Sequence, residues 1–242
     1  MQPRIHAPRL VSGPLDLDPD ASHHLSKVLR IRPGEPLTLF DGKGHEAQAV
    51  VTSVSKDLVQ VMASAPVAIN RESPVEITVV QSLCTGDKMD WVIQKATELG
   101  AARIIPLSAH RSVLRLDGSR MEKRVAHWRA IAESSTAQCG RTHRPEVTAV
   151  QSFAEMTHWW RAQPKPITGW CLDPFASASL GDASVNGPLV ILVGPEAGWT
   201  DEEEAQAKAA GFIGVRCGPR ILRTETAAVA LLAAVAMKLG EF

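Results

Sequence analysis

The sequence predicts a two-part α/β protein: an antiparallel β meander within residues 1–70, then a mostly parallel sheet covered by helices within 74–242. Three observations predict this. After Pro74, strand-like and helix-like stretches alternate, as they do in parallel sheets with helices on both faces. Between Pro36 and Ala63, short runs of strand formers are joined by turns, with no helix of note between them. In the last third, two glycine-bearing loops, 192–200 and 217–226, each follow an apolar strand and lead into a helix. Open α/β sheets bind ligands in the crevice beyond the carboxyl ends of their strands, so two such loops can enclose one small molecule.

In chain order, a short helix is expected over Ser22–Leu29, where Leu25, Val28 and Leu29 share a face. Pro36–Phe40 reads as a strand, and Asp41-Gly42-Lys43-Gly44 as a turn. Glu46–Val54 and Leu58–Ala63 complete the meander; Pro66, Asn70 and Pro74 mark a connector. Val75–Ser82 is then strand-like. Asp87 is placed to cap a helix whose Met89, Trp91, Val92, Ile93, Ala96 and Leu99 lie largely on one face, ended by Gly100. A strand over Arg103–Leu107 precedes a helix over Arg120–Cys139 with a basic face. Ile167–Leu172 and Leu189–Val193 are strands. Thr200 and Glu203 form a capping box opening a helix that stops at Gly211. Phe212–Cys217 is a strand, and Glu225–Leu239 a final helix, apolar almost all round, which must bury itself in its own domain or against a second copy of the chain.

Composition bounds the function. The 242 residues are 45% hydrophobic, enough for an ordinary core. The four cysteines, at 84, 139, 171 and 217, form no CxxC pair, which argues against a disulfide framework or a zinc site and suits a reducing cytosol. No apolar signal segment opens the chain, and the apolar stretch Ala227–Leu239 is too short to span a bilayer. The formal net charge is zero, but its distribution is uneven. Eight Arg and one Lys face only Asp117, Glu122 and Glu133 between Arg103 and Arg144, whereas 173–204 holds seven acids and no Lys or Arg. Arg-rich stretches suit phosphate contact, because the guanidinium fork bonds two oxygens; the competing reading is a solvated helix face.

The loops lack the usual nucleotide fingerprints. No GxGxxG follows a strand, and no GxxxxGK[ST], GxSxG or HExxH occurs. Glycines allow backbone to approach a ligand closely, while Pro195 and Pro219 stiffen the loops. Acids follow the first loop, so a polyphosphate is poorly served there. A cationic or zwitterionic ligand with a flat ring suits the site better.

At this point the chain resembles a known family. LVGPEAGWTDEE and CGPRILRTETAAVALLA look like the two cofactor-loop signatures of the SPOUT methyltransferases. Within that group they resemble the bacterial enzymes that methylate N3 of a uracil in 16S ribosomal RNA. HHLSKVLRIRPGEPLTLFDGKG, QSLCTGDKMDWVIQKATELGAARIIPL and ESSTAQCGRTHRPEV resemble further segments of that family in the same order, so the likeness covers most of the chain. The resemblance implies a C-terminal SPOUT α/β domain with a trefoil knot over 74–242, an N-terminal PUA-like, RNA-binding β-barrel over 1–70, and S-adenosylmethionine as cofactor. It also implies a cytoplasmic homodimer acting on 16S ribosomal RNA or the small ribosomal subunit, with no metal and no membrane.

The resemblance places Leu172, Val193, Gly194, Pro195, Glu196, Gly198, Cys217, Gly218, Ile221, Leu222, Arg223 and Thr226 at the cofactor. Arg223, Glu225 and Arg141 are its candidate catalytic residues, and Arg30, Arg32, Arg111, Arg141 and Arg144 its candidate RNA contacts. Each has a plainer role beside it: the glycines as ordinary turns, the apolar residues as core, Glu225 as an acid favoured in a helix's first turn. Ala197 stands where the family usually has glycine, Trp199 where phenylalanine is usual, and Cys217 where leucine is common. Ala197 cannot freely take positive φ, which puts the fine geometry of the first loop in question. Two other readings stay open: a SPOUT-fold methyltransferase acting on another RNA, and a non-catalytic RNA-binding relative.

Overall fold

The structure, a computed structural model, describes residues 2–114 and 118–242, so Arg115 and Asp117 of the basic stretch lie outside the described residues. Two compact units form: Met1–Glu72 with Thr136–Arg144, and Ser73–Ser135 with Pro145–Phe242.

The first unit is a six-stranded sheet. The expected meander is present as β3 (Pro36–Phe40), β4 (His45–Val54) and β5 (Val59–Ala63). The structure adds three strands too short to read from the sequence. β1 (Arg4–His6) pairs parallel with β3, β2 (Gly13–Asp16) antiparallel with β5, and β6 (Val67–Ala68) with the start of β4. Alternate residues of β4 and β5, among them Ala49, Val51, Val59 and Val61, fill the core with Leu25, Leu37 and Leu39. The helix expected over Ser22–Leu29 takes another form. An α-helical turn α1 (Pro19–His23), capped by the Asp18 carboxylate on the Ala21 amide at 2.8 Å, passes into a π-helical stretch, His24–Leu29. The wider winding breaks the predicted face: Leu25 is buried, while Val28 and Leu29 are exposed.

Residues 141–144 lie along the turn at Gly42–Gly44. The Gly44 amide donates to the Thr142 carbonyl and the Arg144 amide to the Gly42 carbonyl, and Lys43 pairs with His143 as an antiparallel bridge. Charge secures this arrangement. Glu46, on β4, accepts from Arg4 at 2.9 Å and Arg71 at 3.0 Å. Those two guanidinium groups also donate to the carbonyls of Arg141 and Gly140. Arg141 in turn bonds the Glu72 carboxylate.

The second unit is a parallel seven-stranded sheet, built from β7 (Ile77–Ser82), β8 (Arg103–Ser108), β9 (Glu146–Val147), β10 (Gln151–Ser152), β11 (Thr168–Leu172), β12 (Leu189–Val193) and β13 (Ile213–Val215). The order is β10-β8-β7-β12-β11-β13, with β9 on β8. β7 and β12 sit centrally and are buried along their whole length, as parallel strands covered on both faces must be. Successive residues serve opposite cores. Ile77, Val79, Leu189 and Ile191 face a core shared with α2 (Lys88–Glu98), α3 (Gly118–Cys139) and α6 (Thr224–Lys238). Val80, Val190 and Leu192 face a second core shared with α4 (Phe153–Arg161) and α5 (Asp201–Ala209). α6 is only partly covered. Ala228, Leu231, Leu232 and Val235 are buried, while Thr226 and Met237 are exposed and Val229, Ala230 and Ala233 half-buried. Asp87 precedes α2 but its side chain makes no capping bond, so that expectation fails. Among the described residues no helix is long and apolar enough to cross a membrane.

The Arg71 and Arg4 guanidinium groups hold the Glu46 carboxyl below its ordinary 4.5, against the opposing effect of burial. The stability this supplies is present above 4.5 and is lost as pH falls through the lowered folded value. Amide exchange in the first unit of the wild-type chain is therefore expected to accelerate below pH 4.5. Glu46→Gln should exchange faster at neutral pH and show a smaller acid step; an acid step of unchanged size would refute the assignment.

Candidate active site

A cleft of about 650 Å³ opens beyond the carboxyl ends of β11, β12 and β13, a volume typical of small-molecule sites. Two loops form most of it, 194–200 after β12 and 216–223 after β13, and residues 173–175 after β11 complete the lining. One hydroxyl ties them together. Thr224 Oγ1, at the start of α6, donates to the Gly194 carbonyl at 2.6 Å and accepts from Gln81 Nε2, at the end of β7, at 2.9 Å.

The first loop turns tightly, the Gly198 amide donating to the Pro195 carbonyl at 2.9 Å. Positive φ falls on Gly198, at 73°, and not on Ala197, so the alanine needs no left-handed conformation. Gly194 also makes room for packing within the loop. Its φ is not positive, and a Cβ built there would meet the Trp199 indole at 3.0 Å. The missing side chain makes room for Trp199, which is buried edge-on against Phe153 at 5.8 Å. Arg111 Nη1 donates to the Trp199 carbonyl at 2.7 Å. The Thr200–Glu203 capping box forms as expected, and Glu203 also accepts from the His110 amide at 2.8 Å. In the second loop Gly218 takes φ 77°, with open space around a would-be Cβ.

Charges meet at one wall of the cleft. Lys88, the first residue of α2, donates to Glu196 Oε1 at 3.1 Å and lies 3.7 Å from Glu225 Oε2. Burial opposes ionisation of Glu196, but its own backbone amide and Lys88 hold its carboxyl below the usual range. The hydrogen bond to Glu196 raises the Lys88 ammonium. Beneath them the Cys84 thiol is pushed up to about 12, by burial first and then by the Glu196 charge. It therefore stays neutral.

Of the residues predicted for the cofactor, Leu172, Val193, Gly194, Pro195 and Glu196 line the cleft. So do Gly198, Cys217, Ile221, Leu222 and Arg223. Gly218, Thr226 and Glu225 belong to the same segments but not to the lining. Glu225 Oε2 is buried without a hydrogen bond. Arg111, a candidate RNA contact, lines the cleft and braces its loop. Arg141, expected to reach the substrate from a neighbouring subunit, is a buried member of the first unit, where it bonds Glu72. Arg30, Arg32 and Arg144 are exposed on that unit; Arg30 has φ 54°, ending the π-helical stretch. Lys88 was missed. It precedes an apolar helical pattern, and nothing local marks it as facing residues more than a hundred positions away. Among the described residues no cluster of three or more His, Cys, Asp or Glu could hold a metal.

The fold and the cleft belong to RNA methyltransferases. The RNA methyltransferase domain family matches residues 71–236, and the RNA methyltransferase PUA domain family matches residues 17–61. The ribosomal RNA small subunit methyltransferase E of Bacillus subtilis is 34% identical over 88% of this chain and 86% of its own. Its Mycobacterium bovis counterpart is 34% identical over 90% of this chain and 84% of its own. A crystal structure of the Neisseria gonorrhoeae enzyme of the same name, bound to S-adenosyl methionine, superposes with a TM-score of 0.90 at 37% identity, covering 98% of each chain. The chain belongs to the ribosomal RNA small subunit methyltransferase E family.

The packing of Trp199 over Gly194 predicts a compensating pair. Gly194→Ala is expected to displace the indole and weaken ligand binding at the cleft about tenfold or more, and adding Trp199→Phe should restore much of it. Calorimetry with an adenosyl ligand checks this; strictly additive losses would refute the steric coupling.

Proposed function

We propose that this chain transfers a methyl group from S-adenosylmethionine to N3 of a uridine in the 16S RNA of the small ribosomal subunit, as a cytoplasmic homodimer. One observation carries the reading. Two loops after neighbouring parallel strands, joined through Thr224 Oγ1, enclose a single cleft whose lining mixes apolar side chains with carboxylates. Such a lining fits S-adenosylmethionine. Leu172, Val193, Leu222 and Ala227 offer apolar surface to a flat ring, and the carboxylates and loop carbonyls tolerate a positive sulfur. The names of the relatives and the S-adenosyl methionine held by the Neisseria structure support the same choice.

When bound, the cofactor supplies a methyl group carried on a sulfonium. The rest of the chemistry lies with the base and the chain. Uracil N3 carries a proton and is a poor nucleophile until that proton passes to solvent water. The nitrogen lone pair then forms the new C–N bond as the C–S bond breaks and sulfur departs as a neutral thioether. Arg223 lines the cleft, exposed just before α6. Beside the ring, its guanidinium pairs with the negative charge spread over the imide and so favours proton loss. Glu225 is directed at Lys88 instead and serves the wall of the cleft. The base must leave its stack to enter, and Arg30, Arg32 and Arg144, exposed on the first unit, suit RNA phosphates. The small residues Ala230 and Ala233 on the open side of α6 support pairing with a second copy. The trefoil threading of the C-terminal backbone belongs to the same reading.

Ribosomal RNA from a strain lacking the chain should lose one N3-methyluridine from 16S RNA by mass spectrometry; an unchanged 16S profile rejects the proposal. Arg223→Ala should lower kcat about a hundredfold and move the pH–rate profile upward, because N3 yields its proton less readily without the cation. An unshifted profile would remove Arg223 from the chemistry.

A further inference from the structure

We propose that Lys88 and Glu196 form the subsite for the amino-acid end of the methyl donor, Lys88 taking its carboxylate and Glu196 its ammonium. The inference rests on the cofactor reading above and deepens it.

Both side chains line the cleft, and they are in contact at 3.1 Å. Among the described residues of the cleft they are the one opposite-charge pair so joined. The other cations of the lining have different settings. Arg111 is engaged by the Trp199 carbonyl, while Arg220 and Arg223 stand exposed on the second loop. An amino-acid zwitterion presents a carboxylate and an ammonium on one carbon. A neighbouring cation and anion match it by exchanging partners, each giving up the other for a ligand group of the same charge.

The exchange is energetically easy. The Lys88 and Glu196 side chains are 31% and 27% exposed, and a pair so open to solvent contributes little on its own. Lys88 is not left adrift when Glu196 turns to the ligand, because the buried Glu225 Oε2 lies 3.7 Å from its nitrogen and lacks a hydrogen-bond donor. Glu225 thus anchors the ammonium from below. One cation between two carboxylates also decides what the subsite accepts. The cluster is net negative, and the Cys84 thiol beneath it stays neutral. A phosphate, bringing only negative charge, is repelled there, whereas a carboxylate that arrives with its own ammonium is balanced.

The test is calorimetry with two ligands on the full-length chain. S-adenosylhomocysteine carries the amino-acid end, and 5′-methylthioadenosine lacks it. The wild-type chain should bind the first about tenfold or more tightly than the second, a gap of about 1.4 kcal/mol. Lys88→Met and Glu196→Gln should each weaken S-adenosylhomocysteine about tenfold while leaving 5′-methylthioadenosine within about twofold. Thermal melts confirm folding, and Glu196→Gln carries the test alone if Lys88→Met does not fold. Equal affinity of the wild type for both ligands overturns the proposal. So does parallel weakening of both ligands in the variants, or unchanged binding of S-adenosylhomocysteine. Retention of 5′-methylthioadenosine in those cases leaves the cofactor cleft standing; binding of neither ligand by the wild type sinks the cleft reading and this subsite with it.

Discussion

The cleft depends on a hydroxyl. Thr224 is nearly buried, and Gln81 wholly so. A buried amide and a buried carbonyl each need a partner, and a hydroxyl can donate to one while accepting from the other. Thr224 does both, and so fixes the end of the central strand β7, the loop after β12 and the first turn of α6 against one another. Serine could make the same two bonds, but the branched side chain has fewer rotamers to lose on burial. Apolar contact alone is non-directional, and would hold these three pieces of chain together without fixing their relative positions.

Much of the fold was legible because its signals are local. β12, five consecutive apolar residues, is recovered with its bounds unchanged, and the Thr200–Glu203 box marks the start of α5. α4 carries the same local signature, Ser152 with Glu155 three residues on. β1, β2 and β6 were not legible: strands of two to four residues exist only through their partners. In the site, glycine, proline and apolar positions were legible as loop chemistry. The charged groups were not. Nothing near Arg141 in the chain marks Glu72 as its partner, and Lys88 looks like an ordinary helix-start residue until Glu196 and Glu225 arrive. Even Gly194, rightly placed at the loop, owes its identity to an indole five residues later.

The acidic stretch 173–204 likewise resolves into separate tasks. Asp173 accepts from the Phe175 amide, Asp182 pairs with Ser179, and Glu203 caps α5 while holding the His110 amide. Asp201, Glu202 and Glu204 sit in the first turn of α5, where the helix dipole favours negative charge. Of the seven acids, Glu196 alone is joined to a cation among the cleft residues described. A run of like charge in a sequence is therefore a poor guide to a ligand; the pairings that matter come from elsewhere in the chain.

The first unit is discontinuous, and this has a consequence for its birth. Residues 136–144 are made only after 73–135, which encode β7, α2, β8 and most of α3. At ordinary elongation speeds that interval is roughly several seconds. Throughout it, the Gly42–Gly44 turn lacks its pairing strand, and Arg4 and Arg71 lack the carbonyls of Arg141 and Gly140. The nascent N-terminal sheet must wait for the ribosome to write the opening βαβ of the other half before its edge can close, so a fragment cut at Glu72 would be a permanent copy of that unfinished state.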